Sequence, residues 1–355
     1  MTARSRVAKK TTAKKASKKN AARRKRLFYT PSAQAGAAVL ADFAELLALR
    51  REDFQVSGRH IMTALERIGE EDEEALERPL NDAFQELAIR VLHLGPDARD
   101  RYPFEVSGDL LQLRTPHPSV DKDFLYLFLL LATRLNMKRS RKHGGLDGAE
   151  LFEHLCLEVA KRYWGAVQND ERVDGVVFGT ARYNRDAADD DEVDENKFSA
   201  AVESLCEAMR EGNGYRAKDP PPIKAKDAKL DVVVWRDFAD QRGKDPVDKL
   251  RHRHGKLIGF GQCKTGSTWH DEVGKLDPEK FCANWFHDLP LVRPVNLFFV
   301  TDRFLRPWHE KTQKVLLFDR CRVLEYADQL PKDLVGKCAD WARAVLVAHS
   351  VRWWK

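Results

Sequence analysis

The chain has 355 residues, 43% hydrophobic and 33% charged, enough for two domains or one large one around a packed core. The formal net charge of +6 is unevenly spread: 12 of the 61 Lys and Arg lie in residues 1–26, which hold no acid, leaving 49 basic against 55 acidic residues, a net of −6, over the rest. A basic tail on a mildly acidic body excludes nothing globular, but a polyanion would meet the tail first.

Residues 1–30 are rich in Lys, Ala, Thr and Ser, cannot bury enough apolar surface to offset ordering, and should be a disordered basic tail. Lys9, Lys10, Lys14 and Lys15 are candidates for nucleic-acid phosphate contact, because each neutralised phosphate releases a counterion. Residues 31–140 read as a mostly helical accessory domain. Val39, Leu40, Phe43, Leu46 and Leu47 recur at helical spacing, as do Phe84, Leu87, Ile89, Val91 and Leu92 from Asn81 to Leu94. A short hairpin is expected over Tyr102–Arg114, and an apolar helix over Asp121–Met137. The longest apolar stretch, Phe124 to Leu135, is too short and too polar to span a bilayer, and no secretory signal is visible at the N-terminus. The six cysteines make no CxxC or metal-knuckle spacing, so reduced thiols in a cytoplasmic protein are expected.

After the basic turn Lys138–Gly145, Asp147 opens a helix with Glu150 in capping-box position, and Leu151, Phe152, Leu155, Val159 and Tyr163 form its apolar side. A strand is expected at Val173–Phe178, an acidic loop at Asp186–Glu195, and an amphipathic helix at Phe198–Met209. The period then changes. Leu230–Trp235, Lys256–Lys264 and Pro294–Thr301 read as strands, and Val315–Phe318 with Val323 and Leu324 supplies further strand material. A helix is expected at Pro278–Phe286. Strands alternating with helices give an α/β core with a mixed sheet covered on both faces, and residues 331–355 should close the chain as a helix packed on it.

One constellation carries chemistry. Asp231 begins one strand, and Gln262 and Lys264 end the next. Two residues apart, Gln262 and Lys264 share a face with Ile258 and Phe260. A hairpin would bring Asp231 to Gln262 at one sheet end, placing a carboxylate, an amide oxygen and an ammonium around one small volume. Asp231, the Gln262 carbonyl and the backbone carbonyl of Cys263 are hard oxygen donors suited to Mg²⁺ or Mn²⁺. Lys264 could orient a water or stabilise charge on a phosphoryl group.

The runs Asp231-VVVW and GFG-Gln262-C-Lys264-TG resemble the PD-(D/E)xK superfamily of restriction-endonuclease-like nucleases, in a Q-x-K form similar to Mrr-like enzymes. The resemblance covers about residues 147–305, within a nuclease domain taken as 147–330, and implies a mixed sheet flanked by helices. It implies metal-dependent hydrolysis of DNA, prokaryotic restriction or defence against foreign DNA, action as a homodimer, and partner proteins of a defence system. GAELFEHL is similar to the family's glutamate-bearing helix, which implies a metal-supporting role for Glu153. Leu230 stands where the family's proline would precede the aspartate, and 31 positions separate Asp231 from Gln262, so the hairpin must hold an inserted loop. That loop carries Arg251, Arg253 and Lys256, candidates for DNA contact beside the site, together with His252 and His254. After the lysine, Thr265 is a further candidate for nucleic-acid contact and Gly266 would permit close backbone approach, while Trp269 is either a base-stacking or a core side chain, and Asp302 is either a site residue or a turn former. Two other readings stay open: a catalytically decayed nucleic-acid-binding module, with Gln262 as the decay, or a nuclease for RNA or structured junctions.

Overall fold

The computed structural model describes residues 30–32, 34–65, 70–94, 101–114, 124–133, 141–165, 172–178, 195–216, 229–237, 255–266, 269–304, 314–349 and 351. The basic tail, with Lys9, Lys10, Lys14 and Lys15, the acidic loop up to residue 194, and the inserted loop with Arg251, His252, Arg253 and His254, lie outside them.

Helix α1 (Ala37–Ala48) leads to strand β1 (Gln55–Ser57), helix α2 (Gly58–Ala64) and the long helix α3 (Glu70–His93). The expected hairpin forms as β2 (Phe104–Ser107) and β3 (Leu110–Leu113), turning at Gly108 with φ 59°. The sequence reading missed β1, which pairs antiparallel with β3 and completes a small sheet. Helix α4 (Phe124–Leu131) is buried at all eight positions, which accounts for its lack of a polar face. The glycine pair Gly144–Gly145, both at positive φ, turns a two-residue hairpin, β4 (Lys142–His143) with β5 (Leu146–Asp147).

Helix α5 (Gly148–Tyr163) starts as its sequence dictates, with the Asp147 side chain accepting from the amides of Ala149 and Glu150. There follow β6 (Val173–Val177), α6 (Glu195–Met209), β7 (Val232–Arg236), β8 (Leu257–Lys264), the single-turn α7 (Trp269–Glu272), α8 (Pro278–Trp285), β9 (Val295–Val300) and β10 (Leu316–Phe318). Val323 and Leu324, read as strand material, belong instead to helix α9 (Arg320–Leu324). The Asp319 side chain caps that helix by accepting from the Arg322 amide, so a local hydrogen bond overrides β propensity. Helix α10 (Lys332–Ala348) closes the described chain.

The five strands β6 to β10 form one mixed sheet in the spatial order β10-β9-β8-β7-β6. β6, β7 and β8 are antiparallel neighbours, while β9 and β10 run parallel to β8. Alternation sorts its side chains. Val232, Val234, Leu297 and Phe299 join α1, α4, α5 and α10 in one apolar core, whereas Val233, Trp235, Ile258 and Phe260 pack with α6 and α8. The first core is one cluster that draws on residues from Leu40 to Val351, so the N-terminal helices share it with the sheet. Gly261 makes this layering possible: a Cβ there would lie 2.5 Å from Val232 Cγ2 and 3.2 Å from Phe299 Cε2. No helix among the described residues is long and apolar enough to cross a membrane.

Candidate functional site

The β7–β8 register pairs Val232 with Gly261, so the next residue out, Asp231, stands opposite Gln262. Asp231 is fixed there twice: its amide donates to the Gly261 carbonyl at 2.9 Å, and its Oδ2 accepts from the Cys263 amide at 2.7 Å. Those bonds alternate along a strand, so Gly261 and Cys263 turn their amide and carbonyl groups toward β7, while the Lys264 carbonyl accepts from Thr301 beside β9. By the same alternation the Cys263 carbonyl turns to the Asp231 side, just ahead of the first residue of β7.

Gln262 is fully buried, and neither its Oε1 nor its Nε2 has a hydrogen-bond partner. Leaving both ends of an amide unsatisfied costs roughly 1–3 kcal/mol for each group. Lys264, half-buried, follows on the same strand face. Burial pushes the Asp231 carboxyl up to about 6, against the Cys263 amide and the Lys264 ammonium, which both favour its charged form. Cys263 points to the other face, where its thiol and that of Cys156 on α5 influence each other electrostatically. Burial drives both thiols upward, which makes them poor nucleophiles.

Glu153, on α5, is buried on this second face and acts electrostatically on Cys156 and Cys263. Asp231 acts on the same two thiols, so its carboxylate lies at the strand end, within range of Lys264 and of the thiols on the α5 side. Glu150 is half-buried in the first turn of the same helix. Thr265 is half-buried beside Lys264, and a Cβ on the exposed Gly266 would meet nothing within 4 Å.

Two sequence expectations resolve differently, and the paired readings of Trp269 and Asp302 each resolve to the one that is not a substrate contact. Lys256 is not brought to the site: it is buried at the opposite end of β8, with Nζ 2.8 Å from Asp237 Oδ1. The expectation that the inserted loop lies beside the site fails for its roots, because an antiparallel pair joined after Arg236 and before Leu257 keeps its free ends, Asp231 and Gln262, at the other end. Five residues of β8 separate the two ends, roughly 17 Å at the usual rise per residue. Trp269 is 2% exposed and donates from Nε1 to Asp302 Oδ2 at 2.7 Å, so these two pin α7 to the end of β9 rather than facing a substrate.

Sequence reasoning missed Lys229 and Glu272. Lys229, two residues before Asp231, adopts φ 50°, and its Nζ is 2.5 Å from Glu272 Oε2. Its position just ahead of Asp231 was the signal available. Among the described residues, no group of three or more His, Cys, Asp or Glu is placed to hold a metal ion, so the donors at this strand end are one well-placed carboxylate, an amide and a backbone carbonyl. Compared with known proteins, the chain matches no family model, no curated protein and no solved structure.

Proposed function

We propose that the chain is a metal-dependent DNA endonuclease of the restriction-endonuclease-like type, hydrolysing phosphodiester bonds at the Asp231–Gln262–Lys264 strand end. The observation that carries this reading is the register that sets Asp231 opposite Gln262, with Lys264 next on the same face. The mixed sheet covered by helices on both faces is the architecture that the resemblance implies.

The residues fit a hard divalent cation. Gln262 Oε1 is a buried acceptor without a donor, and Asp231 is a carboxylate that burial keeps protonated up to about pH 6, despite the Cys263 amide and the Lys264 ammonium. Asp231, Gln262 Oε1 and the Cys263 carbonyl would hold Mg²⁺ or Mn²⁺, with Glu153 supporting from the α5 side and a DNA phosphate completing the set. When bound, the cation polarises the phosphoryl oxygen and acidifies a coordinated water. Lys264 would place its ammonium against the charge that develops on the phosphoryl group. The Cys263 amide fixes Asp231 so that the carboxylate need not reorganise. The tail of 1–26 would raise the local concentration of DNA. One such centre cuts one strand, which favours a homodimer on duplex DNA; restriction or defence is the setting that the resemblance implies.

Plasmid cleavage tests the reading. Wild-type protein with Mg²⁺ or Mn²⁺ should nick or linearise DNA, and Lys264→Ala should reduce this by at least a hundredfold, while EDTA abolishes it. A second reading, a binding module whose catalysis has decayed, is favoured by the amide at 262 and by the lack of a three-ligand acidic group among the described residues. It predicts salt-sensitive DNA binding with no cleavage under any metal, and identical behaviour of Lys264→Ala.

A further inference from the structure

Beside the strand end, one carboxylate gathers three lysines. Glu272, the last residue of α7, accepts from Lys229 Nζ at 2.5 Å through Oε2 and from Lys275 Nζ at 2.8 Å through Oε1. Lys264 acts on the same carboxyl electrostatically. The hydrogen bonds from Lys229 and Lys275 hold Glu272 down at about 2, so it is ionised throughout the physiological range. The lysines stand outermost: the side chains of Lys229 and Lys275 are 26% and 47% exposed, against 17% for Glu272. Glu272 is thus shared among three cations, and Asp231 is a second anion in range of Lys264. Lys229 also holds a left-handed backbone that lysine rarely adopts, so its place is specified by the surroundings rather than by propensity.

We propose that Lys229 and Lys275 form a phosphate-binding shoulder of the site, which takes the nucleic-acid backbone next to the phosphate at Lys264, with Glu272 pre-orienting both ammoniums. The Lys275–Glu272 pair is exposed and the Lys229–Glu272 pair part-buried, and an ion pair near the surface contributes only about 0–1 kcal/mol, so exchanging a carboxylate oxygen for a phosphate oxygen costs little. Compact ammoniums on flexible stems suit a backbone whose phosphates must be gripped without base recognition. The inference rests on the nuclease reading for the place of the scissile phosphate, but binding tests it without turnover.

The rival is a purely structural clasp that ties α7 to the entry of β7. The two differ in sign. A clasp makes Lys229→Gln and Glu272→Gln act alike and Lys275→Gln act not at all. A phosphate shoulder makes both lysine variants weaken binding, whereas Glu272→Gln, which adds one net positive charge, tightens it. The measurement is anisotropy of a short labelled DNA duplex titrated with the full-length chain in EDTA across a potassium chloride series, with thermal melts to check folding. Each lysine variant should lower the slope of log affinity against log salt by about 0.9, and Glu272→Gln should steepen it. Unchanged slopes, shifts of the same sign for Lys229→Gln and Glu272→Gln, or no duplex binding by the wild type would overturn the proposal. Lys275→Gln, on the most exposed partner, keeps the test valid if Lys229→Gln destabilises the fold. Slopes that move as expected in a protein that never cleaves DNA would sink the nuclease reading and keep the shoulder; cleavage with unmoved slopes would do the reverse.

Discussion

Asp231 carries two opposed demands. Burial raises its folded carboxyl to about 6, above the value near 4 of an unfolded chain, so the fold binds its proton more tightly than the coil does. Stability contributed by the protonated form is therefore present below about pH 4 and is lost as pH rises to about 6, after which the penalty is constant. Asp231→Asn should raise the melting temperature above pH 6 and leave it unchanged near pH 4. A bound cation removes the same penalty, so Mg²⁺ should raise the wild-type melting temperature at pH 7.5 more than at pH 5, and leave Asp231→Asn unmoved. A melting temperature of Asp231→Asn at or below wild type at pH 7.5 would show that the carboxylate is stabilised by something other than a cation. Gln262→Glu extends the argument. A second buried acid should lower stability in EDTA and enlarge the stabilisation by Mn²⁺, because two like charges at one strand end need the cation between them.

At the scale of elements, the site depends on how closely β7 and β8 approach, which Gly261 permits. Gly261→Ala forces a methyl into Val232 and Phe299, and should cost about 1–3 kcal/mol in urea unfolding while displacing Asp231 from the Cys263 amide. A neutral outcome would mean that the strands have slack the packing does not show. The same two strands explain what was legible beforehand. Period-two alternation put Gln262 and Lys264 on one face, and a start and an end of neighbouring strands put Asp231 opposite them; both follow from backbone geometry. The rest needed tertiary facts. Lys256 looks like any loop cation until Asp237 is found beside it, and which strand end a loop leaves from is invisible to composition. Val323 and Leu324 read as strand because their propensity is local, while the capping bond from Asp319 decides otherwise. Glu272 shows no pattern at all, since its significance lies in Lys229, 43 positions away.

The whole molecule is held by charge in an unexpected place. Asp42 and Glu45 of α1 look like the wet side of a helix, yet both are buried. Arg320 Nη2 lies 2.8 Å from Asp42 Oδ2, and its Nε donates to the Thr301 carbonyl at 2.9 Å. Arg90 of α3 reaches Asp42 at 2.7 Å and Glu45 at 3.0 Å, and the Tyr102 and Tyr126 hydroxyls both donate to Glu45 Oε1 at 2.8 Å. Burial pushes the Asp42 carboxyl up, but the guanidiniums of Arg320 and Arg90 outweigh it and hold it below its ordinary value. Arg320→Met should therefore strand an uncompensated buried charge and cost about 3–5 kcal/mol in urea unfolding. Because Thr301 also donates its amide to the Lys264 carbonyl, the same variant should impair cleavage. A loss of stability below 1 kcal/mol would show that the network relaxes around the gap. The far-end attachment of the β7–β8 connection has a different consequence. Residues added to or removed from that connection alter the count between Asp231 and Gln262 without moving either, so the interval between the two motifs is free to drift between related chains. A search that fixes that interval would pass over relatives sharing this strand end, and a reporter peptide spliced between Asp237 and Lys256 is the placement least able to disturb it.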